Sequence, residues 1–147
     1  MSYYFAYGSN MDAAQMHERC PNARLLGKAS LPGYMLDFRI YSPKRESGCA
    51  DIVLVPGEVV WGLLYDVTEK DITSLDTYEG VPQSYRRIRV RVIDALGKKY
   101  KADAYEVVQK SPFQKPSQEY LGLLITAARE FSFPDAYIKR LSSIETR

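Results

Sequence analysis

Extended segments in this chain arrive in consecutive runs, and that ordering restricts the fold more than any other feature. Arg24–Leu31 and Tyr34–Ile40 read as strands joined at Pro32-Gly33; Ala50–Val55 follows a polar loop, and Val59–Val67 follows a turn at Pro56-Gly57. Val59–Val67 is so apolar that it reads as buried on both faces. Tyr85–Asp94 alternates cleanly, with Ile88, Val90 and Val92 inward and Arg87, Arg89 and Arg91 outward, and Leu96-Gly97 turns it into Lys99–Val108. The aromatic run Ser2–Tyr7 adds a seventh strand. A doubly wound parallel sheet needs a helix after each strand, so strands in series predict an α+β fold. With 147 residues there is chain for one domain, 1–147, and the strands must curve back on one another with helices outside.

Helical periodicity fills the gaps. Asp12–Arg19 carries Ala13 and Met16 on its apolar side and is ended by Pro21. Thr68-Glu69-Lys70-Asp71 resembles a capping box with Asp in place of Glu; a helix starts near Glu69, turns Ile72 and Leu75 inward and stops at Gly80. Ser117 can cap a helix running to about Phe131, whose apolar face carries Tyr120, Leu121, Leu124, Ile125 and Ala128. Pro134 suits the first turn of a last helix bearing Tyr137, Ile138, Leu141 and Ile144.

Composition removes several functions. Hydrophobic residues are 46% and charged residues 26%, the mix of a globular protein, and a chain this long buries roughly two thirds of its unfolded surface without a disulfide or metal. A net charge of +2 gives no drive toward nucleic acid or an anionic membrane. No window approaches a membrane-spanning helix, and MSYYFAYGSN lacks the basic and apolar regions of a signal peptide. Cys20 and Cys49 are too few and too scattered for a zinc site or disulfide framework, and read as reduced thiols in a cytoplasmic protein. No phosphate-binding loop, dinucleotide fingerprint or HExxH appears. His17, the one histidine, sits mid-helix without metal-ligand spacing and reads as a surface residue. Arg86, Arg87, Arg89 and Arg91 could track a phosphate backbone while some of the twelve tyrosines stacked on bases, but they read more simply as the solvated face of a strand.

Two places look chemical. At Tyr7-Gly8-Ser9-Asn10 a strand passes straight into a helix, leaving backbone N–H groups unpaired where they can bind an anion or an oxyanion; Ser9 and Asn10 could add side-chain donors. The same residues would also serve as a plain turn and helix cap. The second place is Glu79, on the last turn of the helix that ends at Gly80. An anion there opposes the helix dipole, and shielding by Tyr78 and Val81 would raise its pKa into the range of a general base. Pairing with Arg86 or Arg87 is the competing reading.

Tyr4-Phe5-Ala6-Tyr7-Gly8-Ser9-Asn10-Met11 resembles the signature of the γ-glutamylcyclotransferase family, and Leu75-Asp76-Thr77-Tyr78-Glu79-Gly80-Val81 resembles the stretch that carries its catalytic glutamate. The roughly seventy-residue spacing and Glu58-Val59-Val60-Trp61-Gly62 upstream fit as well, and Tyr120 after Pro116-Ser117-Gln118 resembles a pocket-lining tyrosine. The likeness covers the chain to about Tyr120.

It implies a compact mixed β-barrel with flanking helices, no metal or other cofactor, and a small γ-glutamyl substrate. The implied enzyme, a monomer or homodimer of γ-glutamyl and glutathione metabolism, releases 5-oxoproline and an amine or amino acid. Glu79 would be the catalytic base and then acid, and Tyr7, Gly8, Ser9, Asn10, Met11 and Tyr120 the substrate-binding residues. Glutathione-degrading relatives usually carry Leu where this chain has Asn10, which argues against glutathione. A fold and a motif leave open a binder of γ-glutamyl or other amino-acid-like ligands without turnover, or an enzyme acting on another acyl amide.

Overall fold

The computed structural model describes residues 2–147, which form five strands and four helices. The strands are β1 (Ser2–Ala6), β2 (Arg24–Ser42), β3 (Ser47–Val67), β4 (Tyr85–Asp94) and β5 (Lys99–Val107). They close into a barrel in the order β1-β3-β2-β4-β5. Every pairing is antiparallel except the one that closes the ring, where β1 meets β5 in parallel at Tyr4 and Asp103.

The expected breaks at Pro32-Gly33 and Pro56-Gly57 do not end strands. β2 and β3 run through them as one long antiparallel ribbon, from Arg24 opposite Asp66 to Ser42 opposite Ser47. Pro32 pairs with Val59 and Tyr34 with Leu54, so the two Pro-Gly sites face one another and the ribbon changes register there without separating. Gly33 and Gly57 take φ of +86° and +89°, which glycine alone adopts without strain. Pro32 is tolerated because β4 pairs with β2 only at Ala29 and Ser30, leaving that edge free of a ladder. Seven expected strands thus become five, and the α+β barrel stands.

Helix boundaries follow the local signals. A 3-10 turn (Ser9–Met11) leads into α1 (Ala13–Arg19), with Asp12 accepting from the Gln15 N–H at its N-terminus. In α2 (Glu69–Tyr78), Thr68 Oγ1 accepts from the Asp71 N–H at 3.1 Å and the Asp71 carboxylate accepts from the Thr68 N–H at 2.9 Å, completing the box despite the shorter acid. α3 (Gln118–Glu130) is capped by Ser117, and α4 (Asp135–Ser142) follows Pro134. Phe5, Ile52, Leu63, Leu64, Val92 and Ala104 fill the core, joined by Ile72 and Leu75 of α2 and Leu124 and Ala128 of α3. No helix among the described residues is long and apolar enough to cross a membrane.

The arginine face of β4 is largely neutralised by acidic groups beside it. Arg86 meets Glu106 at 3.1 Å, Arg89 meets Asp103 at 3.5 Å and Arg87 meets Asp76 at 3.7 Å. That removes the charge a phosphate backbone would need. His17 is exposed on α1.

Candidate active site

Glu79 is fixed by the way α2 stops. It is the C-cap residue; the Gly80 N–H donates to Thr77 O (3.1 Å) and the Val81 N–H to Asp76 O (3.0 Å), with Gly80 at φ +67°. This double bond pattern at a left-handed glycine turns the chain sharply and points the preceding side chain off the helix end. Neither Arg86 nor Arg87 reaches Glu79; they end on Glu106 and Asp76. Glu79 instead stands in the wall of a cavity of about 290 Å³, and its carboxylate receives no hydrogen bond or ion pair from the described residues. Burial pushes its pKa up to about 7, against the pull of the Arg19 and Arg45 guanidinium groups.

Opposite structural elements supply the rest of the wall. Tyr7, Gly8, Ser9 and Asn10 line the cavity, as does Tyr120 from the first turn of α3. The N–H groups of Gly8, Ser9 and Asn10 donate to no acceptor among the described residues, whereas the next two amides close the 3-10 turn, Met11 onto Gly8 O and Asp12 onto Ser9 O. A Cβ on Gly8 would lie 3.3 Å from the Tyr120 hydroxyl, so loop and tyrosine are in direct contact range.

Two side chains of this loop are placed differently from the rest. Met11 does not line the cavity: its side chain is 3% exposed and packs into the core, and its N–H shapes the turn. Asn10 does line it, but its side chain is committed. Nδ2 donates to Tyr4 Oη (2.9 Å), while Oδ1 accepts from Gln15 Nε2 (2.8 Å) and Arg19 Nη1 (3.0 Å). Its side chain holds the loop in place, and its backbone N–H is the group left free.

The tyrosines divide by the direction of their hydrogen bonds. Tyr7, Tyr85 and Tyr105 donate to protein acceptors: the Tyr105 carbonyl (2.5 Å), the Ala50 carbonyl (2.7 Å) and Asp76 (2.7 Å). Tyr4 and Tyr120 accept instead, from Asn10 Nδ2 and the Ala50 N–H, both at 2.9 Å; Tyr120 also shares a hydrogen bond with the Cys49 thiol, and Tyr4 keeps its own proton for another acceptor. Burial raises the pKa of both, so both hydroxyls stay protonated. Cys49 also lines the cavity, with burial raising its thiol to about 11, so it remains a neutral thiol.

Sequence reading did not single out Arg19, Arg45, Tyr4 and Tyr85 as site residues. Tyr4 stands inside the octapeptide, so its signal was present. Arg19 ends a short helix and Arg45 lies in a polar loop, and nothing local says that the two share a cavity. Glu79 is the one carboxylate among the described lining residues. The arrangement offers a single proton acceptor facing amide, hydroxyl and guanidinium donors, a setting for proton transfer beside a developing oxyanion.

Known proteins share the sequence and the architecture. The AIG2-like family matches residues 59–141. The γ-glutamylcyclotransferase of Bos taurus is 34% identical over 147 residues, covering 97% of this chain and 78% of that protein, and the γ-glutamylcyclotransferase of Homo sapiens is 33% identical with the same coverage. A solved structure of a γ-glutamyl cyclotransferase superposes with a TM-score of 0.93 at 31% identity, over 99% of this chain and 89% of that one.

Proposed function

Because the chain belongs to the γ-glutamylcyclotransferase family, we propose that it cyclises a γ-glutamyl amino acid or amide to 5-oxoproline, with Glu79 carrying the protons. The observation that carries this reading is the unpaired Glu79 carboxylate sharing one cavity with the unbonded amides of Gly8, Ser9 and Asn10.

The substrate's own α-amine attacks its γ-carbonyl carbon, closing a five-membered ring. A tethered nucleophile needs only the right rotamer and the loss of a proton, so no protein nucleophile is required. The α-ammonium cannot attack; Glu79, with a pKa of about 7, accepts its proton near neutrality. Negative charge gathers on the γ-carbonyl oxygen, which the free amides of the loop stabilise; one such donor is worth about 3–4 kcal/mol in other enzymes. The C–N bond to the leaving group then breaks as Glu79 returns a proton to it. Two protons leave the attacking nitrogen and two arrive on the departing one, so a single carboxyl acting in turn balances the reaction. Tyr120, from the first turn of α3, lines the cavity and orients the glutamyl moiety through its hydroxyl.

On this reading residues 1–147 act as one domain, as a cytoplasmic monomer or homodimer working on a free small molecule, away from nucleic acid and membrane. The test is Glu79→Gln, which keeps shape and hydrogen bonding but accepts no proton. The variant should form 5-oxoproline from γ-glutamyl-alanine at least 100-fold more slowly than the native enzyme, from the usual size of general acid–base catalysis, about 10²–10⁴-fold. Turnover near the native rate would remove Glu79 from the mechanism.

A further inference from the structure

Two arginines set the direction of a hydrogen-bond chain that ends in the active cavity. A guanidinium has protons to give and no lone pair to offer. Arg19 Nη1 donates to Asn10 Oδ1 at 3.0 Å, so that atom is the acceptor end of the Asn10 amide. Arg45 Nη2 donates to Gln15 Oε1 at 2.6 Å, which turns Gln15 Nε2 toward the same Asn10 Oδ1 at 2.8 Å. Both arginines therefore leave Asn10 a single orientation, with its NH2 donating to Tyr4 Oη at 2.9 Å. An amide NH2 accepts nothing in return, so the Tyr4 proton points elsewhere.

No acceptor among the described residues takes that proton. The tyrosines whose rings pack on Tyr4 bond to other groups: Tyr105 donates to Asp76 at 2.7 Å and Tyr65 to the Asn10 carbonyl at 3.5 Å. Tyr4 is 4% exposed and lines the cavity, so its unused donor is buried and can be satisfied only from within that space. It also stands between the two halves of the site. Its oxygen is bonded to Asn10 of the amide loop, and the Glu79 charge, second to burial, raises its pKa. A phenol so raised gives a hydrogen bond without giving up its proton.

Resting on the γ-glutamyl reading above, we propose that Tyr4 is a catalytic residue whose hydroxyl donates to the γ-carbonyl oxygen alongside the loop amides, and that Asn10 is the positioning residue that keeps it a donor. The Asn10 side chain then acts on the reaction without touching the substrate, through the direction of one hydrogen bond.

The test follows 5-oxoproline release from γ-glutamyl-alanine, with kcat scaled to the folded fraction read by circular dichroism. Tyr4→Phe should lower kcat by about 100-fold, the lower end of what one oxyanion donor is worth. KM should change little, because the contact strengthens only as the oxygen becomes negative. Asn10→Asp keeps the shape of the side chain. One of its oxygens still accepts from Gln15 and Arg19, while the other replaces the NH2 and takes the Tyr4 proton for itself. It should therefore slow the enzyme about as far as Tyr4→Phe does, with the hydroxyl still present. The double variant should be no slower than Tyr4→Phe alone. A new carboxylate acting on Glu79 through its charge, or a damaged loop, would slow the Tyr4→Phe background as well. A native kcat for Tyr4→Phe, a loss confined to KM, or losses that multiply in the double variant overturns the proposal while the cyclase reading stands. Failure of the native enzyme to release 5-oxoproline overturns both.

Discussion

Replacing Glu79 by Gln should make the protein more stable, and the gain should depend on pH in a way that the cavity dictates. Burial raises the carboxyl from 4.5 to about 7 in the folded state, so the folded protein holds the proton more tightly than the unfolded chain does. Below pH 4.5 the group is neutral in both states and Gln is a close mimic, so the two proteins should melt together. As pH rises from 4.5 toward 7 the unfolded chain ionises freely while the folded one does not, and native stability falls. Above 7 the folded state carries the buried anion and the deficit is complete. The difference of about 2.5 pH units corresponds to a ceiling of about 3 kcal/mol. Since Glu79 lines the cavity wall and is itself only half-buried, we expect about 1–3 kcal/mol at pH 8, or roughly 3–9 °C in Tm for a chain of this size. Thermal melts of both proteins at pH 4, 6 and 8 read it directly. A variant no more stable than the native protein at pH 8, or a gain that is the same at every pH, would refute the claim that burial sets the state of this carboxyl.

The remaining expectations are smaller in scope. The kcat/KM for γ-glutamyl-alanine should rise about tenfold per pH unit on the acid side and level off through about pH 7, because the ionised form of Glu79 does the work; a rising limb centred near 4.5 would show an ordinary carboxyl. Tyr120→Phe should cost about 1–3 kcal/mol in urea melts, since the Ala50 N–H loses its 2.9 Å acceptor in a buried setting, and should lower kcat/KM through loss of a hydroxyl that lines the cavity. Thr68→Ala should cost about 1 kcal/mol by breaking the capping box of α2, with a matching fall in Tm.

Much of this molecule was legible where the cause of a structure lies within a few residues. The Thr68–Asp71 box, the Gly80 stop, the Ser117 cap and the alternation in Tyr85–Asp94 are local arrangements, and each stands as read. The resemblance in the octapeptide and around Glu79 led to the same cavity. What stayed hidden depends on contacts between distant segments. Pro32-Gly33 and Pro56-Gly57 each look like an ending, and only their position opposite one another in the ribbon turns two endings into one paired irregularity. Asn10 looks like a free donor until the fold sets its Nδ2 against the Tyr4 hydroxyl, while Gln15 and Arg19, five and nine residues further on, are brought round by α1 to occupy its oxygen. Arg19 and Arg45 carry no motif; the barrel end alone brings them together.

The polarity of the cavity also bears on whether a protein of this shape binds its ligand or transforms it. Free amides, tyrosine hydroxyls and two guanidinium groups share the cavity with one carboxylate, so the complement is a ligand rich in acceptors with a single cationic group. A γ-glutamyl compound has that pattern, and so would many amino acids held without turnover. Glu79 separates the cases. A receptor for an ammonium group gains most from a carboxylate ionised throughout the physiological range, which hydrogen bonds or a close cation would secure. Here the carboxylate lacks both, and burial outweighs Arg19 and Arg45 to hold it at about 7. At that value it is a poorer anchor for a cation and a better acceptor and donor of protons, and that balance argues for an enzyme over a binding module.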